Sequence, residues 1–209
     1  MIRFRLVFLA LVAGLAGFAG LATGADAQAR EPTVLVLGDS LSAAHGMPEA
    51  AGWVALLAAR AAGRAQVVNA SISGETTAGG LSRLPDLLAA HRPALVAIQL
   101  GANDGLRGLP ITQIRDNLDR LAHLVRESGA QVLLLGIELP VNYGPRYRDQ
   151  LRQVYDGLAQ ELDTGLVPFM LEGVALDPLL IQDDGLHPNA AAQPAILDNV
   201  WTVMAPMLD

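Results

Sequence analysis

The chain has 209 residues, 52% of them hydrophobic, and a formal net charge of −7. That charge does not favour nucleic acid or anionic lipid headgroups, and the absence of cysteine excludes a thiol nucleophile, a disulfide and a cysteine-ligated metal. All 14 basic residues are arginine, so Schiff-base catalysis, a Ser-Lys dyad and a P-loop, each of which needs an amine, are excluded too.

Arg3 and Arg5 precede an uncharged stretch from Leu6 to Ala25, and Ala27-Gln28-Ala29 follows just before Arg30 and Glu31. Residues 1–29 therefore read as a secretory signal peptide with an A-x-A-like cleavage site. The alternative is a retained membrane anchor, against which Gly14, Gly17, Gly20 and Gly24 dilute the apolar run. Cleavage would leave residues 30–209, one domain with a sizeable core that must hold by packing alone.

Apolar runs at 33–38, 66–70, 94–100 and 131–137 read as strands buried on both faces, with a short strand expected at 166–169. Between them, Ile111, Ile114, Leu118, Leu121, Leu124 and Val125 recur at steps of three and four, which predicts a sheet-covering helix over 111–125. Further helices are expected at 50–62, 81–91, 146–163 and 191–204. This alternation predicts a three-layer, doubly wound α/β domain whose mostly parallel sheet has about five strands. The segments 38–46, 71–80, 101–110, 138–146 and 182–189 are left as loops, most of them at one edge of the sheet.

Four of those loops carry chemistry. Gly38-Asp39-Ser40 ends a buried strand, where a serine can point its hydroxyl into the ligand-binding crevice; alone it is equally a helix-capping turn. It lacks the Gly-x-Ser-x-Gly elbow of the α/β-hydrolases, because Ser42 stands at the last glycine's place. Gly74 can offer an unobstructed backbone N–H to a substrate oxygen, or simply permit a turn before a helix capped by Thr76. Asn103 can donate a carboxamide N–H to developing negative charge, or make an Asx-turn. In Asp184-Gly185-Leu186-His187, the carboxylate can reach the imidazole across a turn and hold its tautomer, with Asp183 as a competing orienter.

The histidines at 45, 91, 123 and 187 are too dispersed for spacing to suggest a metal site. His45 reads as a pocket-lip or exposed residue, and His91 and His123 as solvated helix residues. Trp53 and Trp201 fall in predicted helices, where core packing is the expected role.

Taken in order, Gly38-Asp39-Ser40, Gly74, Gly101-x-Asn103-Asp104 and Asp184-x-x-His187 resemble the four blocks of the SGNH hydrolases, also called GDSL esterases and lipases. Longer stretches, including Leu139-Pro-Val-Asn-Tyr-Gly144 and Gln182-Asp-Asp-Gly-Leu-His-Pro-Asn189, are similar to the periplasmic branch of acyl-CoA thioesterases, lysophospholipases and arylesterases. The resemblance implies a flavodoxin-like sheet with Ser40 as nucleophile, His187 as general base then acid, and Asp184 as its orienter. It implies an oxyanion hole made by the Ser40 N–H, the Gly74 N–H and the Asn103 side chain. The loops 105–110 and 138–145 would set acyl preference through Leu106, Leu109, Leu139, Pro140 and Tyr143.

These residues require no metal or organic cofactor, and the expected partner is a small acyl ester or thioester. The exported, unanchored chain is expected to be a periplasmic monomer. Alternatives are a carbohydrate O-acetylesterase, a non-catalytic periplasmic acyl or lipid carrier, and a structural export-pathway protein. The last leaves four coincident segments unexplained.

Overall fold

The computed structural model describes residues 31–209. The predicted signal segment and its cleavage site after Ala29 lie outside the described residues. Five strands, β1 (Thr33–Gly38), β2 (Gln66–Asn69), β3 (Leu95–Gln99), β4 (Gln131–Leu135) and β5 (Gly165–Val167), form one parallel sheet in the order β2-β1-β3-β4-β5. That is the flavodoxin-like order, and its direction reverses beside β1. The register pairs Gly38 with Gln99, so the ends of β1 and β3 sit side by side at the reversal.

Residues 34–38 of β1 and all of β3 are buried, as continuous apolar runs demand of a sheet covered on both faces. Helix α1 (Trp53–Arg60) packs on α6 (Gln193–Met204), while α2 (Thr77–His91), α4 (Ile111–Glu127) and α5 (Pro145–Leu162) pack side by side in that order. The core-facing stripe of α4, with Ile114, Leu118, Leu121 and Val125 fully buried, is the one its periodicity predicts.

Besides shifts of one or two residues at element ends, three α-helical segments depart from the sequence expectation. Helix α2 starts at Thr77 rather than at 81, because Thr76 Oγ1 caps the Gly79 N–H at 3.1 Å and makes Gly79 and Gly80 helical. A Cβ on Gly80 would lie 2.3 Å from Leu100 Cδ1, so a side chain there would displace the end of buried Leu100. The stretch 50–62 divides into a 3-10 turn at Glu49–Ala51 and α1, with Gly52 extended between them. The Trp53 N–H that opens α1 is accepted by the buried Gln193 side chain at 2.9 Å, a partner from the far end of the chain. The loop 101–110 contains a short helix, α3 (Ala102–Leu106).

Trp53 is fully buried in the core. Trp201 also packs against the core, from its edge: it is half-buried, and the guanidinium groups of Arg60 and Arg64 lie 5.9 and 5.5 Å from its ring centroid. No helix among the described residues is long and apolar enough to cross a membrane.

Candidate active site

Ser40 follows β1, Gly74 follows β2 and Asn103 follows β3, so three adjacent strands deliver three groups to one edge. The fourth segment comes from beyond β5. There, an antiparallel bridge between Ile181 and Pro188 and a Gln182 N–H to His187 C=O bond of 2.8 Å close a tight turn around Asp184. The Gln182 side chain donates to His45 C=O at 2.8 Å and so ties this turn to the loop that carries Ser40.

Ser40 Oγ lies 2.9 Å from His187 Nε2, and His187 Nδ1 lies 2.6 Å from Asp184 Oδ2. Asp184 Oδ1 accepts the backbone N–H groups of Leu186 at 2.9 Å and His187 at 3.0 Å, which turns the carboxylate toward the ring. The His187 N–H, the imidazole and the Leu186 N–H together hold the Asp184 carboxyl down at about 2. Of the two adjacent carboxylates, Asp184 therefore meets the histidine, while Asp183 is exposed beside it. A hydroxyl on a neutral imidazole that is itself held by a carboxylate can surrender its proton as its oxygen attacks.

Among the described residues, neither the Ser40 nor the Gly74 backbone N–H has a protein acceptor. Gly74 has φ +81°, a conformation that a side chain would strain, and Arg107 Nη2 donates to its carbonyl at 3.0 Å. Asn103 Nδ2 donates to Asp39 Oδ2 at 3.2 Å, which leaves its second N–H available to another acceptor.

Several supporting residues were not singled out from the sequence. Asp39 is fully buried; burial pushes its carboxyl up to about 6, against the opposing pull of the Leu41 N–H, His187 and Asn103. Gln99, a polar residue closing an apolar strand, accepts both the Asp39 N–H at 3.2 Å and Ser42 Oγ–H at 2.8 Å. Buried Asp104 accepts the Thr77 N–H at 2.9 Å and its hydroxyl at 2.5 Å, which fixes α3 against the start of α2. Asp39 and Asp104 stand in the sequence blocks without a role of their own, and their burial and hydrogen bonds show only in the fold.

The residues expected to form an acyl wall lie on two neighbouring segments. Leu106 and Leu109 are half-buried, and so is Tyr143, whose hydroxyl donates to Leu106 C=O at 2.9 Å. Leu139 is buried beneath Gly105, and Pro140 is exposed at the rim. Tyr147, not singled out earlier, donates to Leu109 C=O at 2.6 Å. His91 and His123 are exposed on α2 and α4, as expected, whereas His45 is exposed with its ring against His187.

The GDSL-like lipase/acylhydrolase family model matches residues 36–194. The chain belongs to this family. Among its relatives is Esterase TesA of Pseudomonas aeruginosa, 54% identical over 184 residues, or 87% of this chain and 92% of the relative. Thioesterase 1/protease 1/lysophospholipase L1 of Escherichia coli K12 is 46% identical over 177 residues, or 85% of each chain. The crystal structure of TesA superposes with a TM-score of 0.82 at 54% identity, covering 84% of this chain and 99% of that one. The GDSL assignment bears out the resemblance read from the four blocks, and with it the fold and the hydrolase class.

Proposed function

We propose that this GDSL hydrolase is an exported serine esterase that cleaves acyl esters and thioesters through a covalent acyl-enzyme. The observation that carries this reading is the unbroken chain from Ser40 Oγ to His187 at 2.9 Å and on to Asp184 at 2.6 Å. Ser40 Oγ attacks the acyl carbon while its proton passes to His187 Nε2, and Asp184 balances the imidazolium. The negative oxygen is received by the Ser40 and Gly74 N–H groups and the free N–H of Asn103. Collapse breaks the bond to the alkoxide or thiolate, which takes the proton from Nε2. Water then attacks the acyl carbon, gives its proton to the same nitrogen, and Ser40 is released with its hydroxyl restored.

Oxygen and sulfur leaving groups both fit this sequence. Esterase, thioesterase and lysophospholipase are the activities named for the relatives, and an apolar wall of the half-buried Leu106, Leu109 and Tyr143, backed by buried Leu139, suits an acyl chain more than an acetylated sugar. The N-terminal segment supports export to the periplasm, where membrane-derived esters are at hand and acyl-CoA is not; an N-terminus at Arg30 in the exported protein is the expected result of mass measurement.

Hydrolysis of p-nitrophenyl esters from acetate to palmitate, with Ser40→Ala alongside, tests the activity. Ser40-dependent turnover with a medium-chain optimum is expected. A profile confined to acetate would move the assignment to an O-acetylesterase, and a folded protein inert at every chain length would move it to an acyl carrier. Stoichiometric labelling by a fluorophosphonate, lost in Ser40→Ala, tests the covalent step.

A further inference from the structure

Beyond the hydrolytic reading, one cluster beside Ser40 has a second chemistry. His45 lies on the same loop as Ser40, and its ring centroid is 4.3 Å from that of His187. The side chain is exposed, and its Nδ1 lies 3.4 Å from Ser73 Oγ. One ligating atom from each of His45, Asp184 and His187 lies within 4.8 Å of the other two. Spacing along the sequence hid this cluster, because the Ser40 loop and the last turn meet only in the folded sheet.

We propose that His45, His187 and Asp184 form an inhibitory transition-metal site that takes Zn²⁺ or Cu²⁺. Two imidazole nitrogens and one carboxylate oxygen make a three-ligand zinc set, and the exposed position leaves the fourth place to water. Nitrogen and oxygen ligands sit about 2.0–2.2 Å from zinc, so tetrahedral neighbours lie roughly 3.4 Å apart. Reaching that spacing closes the wider pairs, which lie within 4.8 Å, by up to about 1.4 Å and, for a metal on Nδ1, opens the 2.6 Å His187–Asp184 pair. His45 and Asp184, both exposed, have room for it.

The consequence follows from which lone pair the metal takes. On Nδ1 it separates His187 from Asp184, and on Nε2 it occupies the nitrogen that faces Ser40. In either case the ring can no longer accept the serine proton. Imidazole suits zinc and copper, whereas magnesium and calcium prefer oxygen donors, so the latter pair would leave hydrolysis unchanged. Metal binding stands on the geometry alone, and its inhibitory effect rests on the proposed role of His187.

The test is a calorimetric Zn²⁺ titration of the tag-free Ser40→Ala chain, with and without His45→Phe. That replacement keeps a ring against His187 and removes the ligating nitrogen. One zinc per chain is expected, bound at least about tenfold more weakly once His45 is replaced. In the protein with Ser40 intact, Zn²⁺ should inhibit ester hydrolysis reversibly by chelator, with the half-inhibiting concentration raised by a similar factor in His45→Phe. Absence of calorimetric binding, or binding indifferent to His45→Phe, overturns the site. His45-dependent binding without inhibition overturns the switch. Hydrolysis that persists in Ser40→Ala would instead fault the triad reading and leave the calorimetric result standing.

Discussion

Asp39 Oδ2 accepts a hydrogen bond from Asn103 Nδ2 at 3.2 Å, and so a buried carboxylate next to the candidate nucleophile orients the amide proposed to receive the oxyanion. Asn103→Ala should fold and lose about 100- to 1000-fold in kcat, the usual effect of deleting one such donor. Asp39 also accepts the Leu41 N–H at 3.0 Å through its other oxygen, so Asp39→Asn, with one carbonyl, cannot satisfy both partners. The Asp39→Asn variant should lower kcat while KM stays nearly constant, since Asp39 acts through Asn103 and not on the ester. An equal change in KM would show a general distortion of the pocket instead.

The same burial gives Asp39 a signature in stability. Its folded-state value of about 6 lies above the ordinary 3.8, so between these pH values the folded chain holds a proton that the unfolded chain has released. The Asp39 contribution is therefore greatest below about pH 4, falls as pH rises to about 6, and stays low above it. The gap corresponds to about 3 kcal/mol. Urea denaturation at pH 4, 5 and 7 should find Asp39→Asn gaining on the parent protein by up to that amount across the window. A difference that stays flat with pH would mean that Asp39 is not held protonated.

Asp184 carries the opposite sign. Its value of about 2 lies below the ordinary 3.8, so its stabilising contribution is fully present above about pH 4 and is lost as pH falls toward 2. It is then ionised throughout the working range, and no inflection of the rate profile above pH 4 belongs to it. Asp184→Asn should cost between about 100- and 10,000-fold in kcat/KM, because the amide no longer holds the imidazole in the productive tautomer. The lower end is reachable because the side chain is 42% exposed and water can stand in for the lost partner. Near-parental turnover would transfer the orienting role to another group, with Asp183 the first to examine.

The sheet and the four site segments were legible because each is written locally. Continuous apolar runs mark β1 and β3, and Asp184 and His187 are three positions apart within one turn. What escaped depends on partners distant along the chain. The Thr76 cap that starts α2 is written locally, but the seating of Gly80 against Leu100, where a Cβ would lie 2.3 Å from Cδ1, is not. Asp104 looks like an ordinary turn aspartate, yet it is buried against Thr77, whose hydroxyl also accepts from Asn117 Nδ2 at 3.0 Å. Neither period nor propensity encodes such pairings; they arise where strand ends converge.

Two tyrosines staple the loops proposed to hold the acyl chain. Tyr143 Oη donates to Leu106 C=O at 2.9 Å and Tyr147 Oη to Leu109 C=O at 2.6 Å, so the segments after β3 and β4 are tied together twice. Replacing either by Phe keeps the ring and removes one hydrogen bond, at a cost of about 1 kcal/mol. If both loops form the acyl wall, releasing a staple should raise KM for decanoate by about fivefold, the equivalent of that energy. The kcat/KM on acetate, which does not reach the wall, should change less than about twofold. Because the staples share one pair of loops, the double variant should be less than additive on decanoate. A loss of stability with chain-length preference intact would make both tyrosines purely structural and place the acyl pocket elsewhere along the sheet edge.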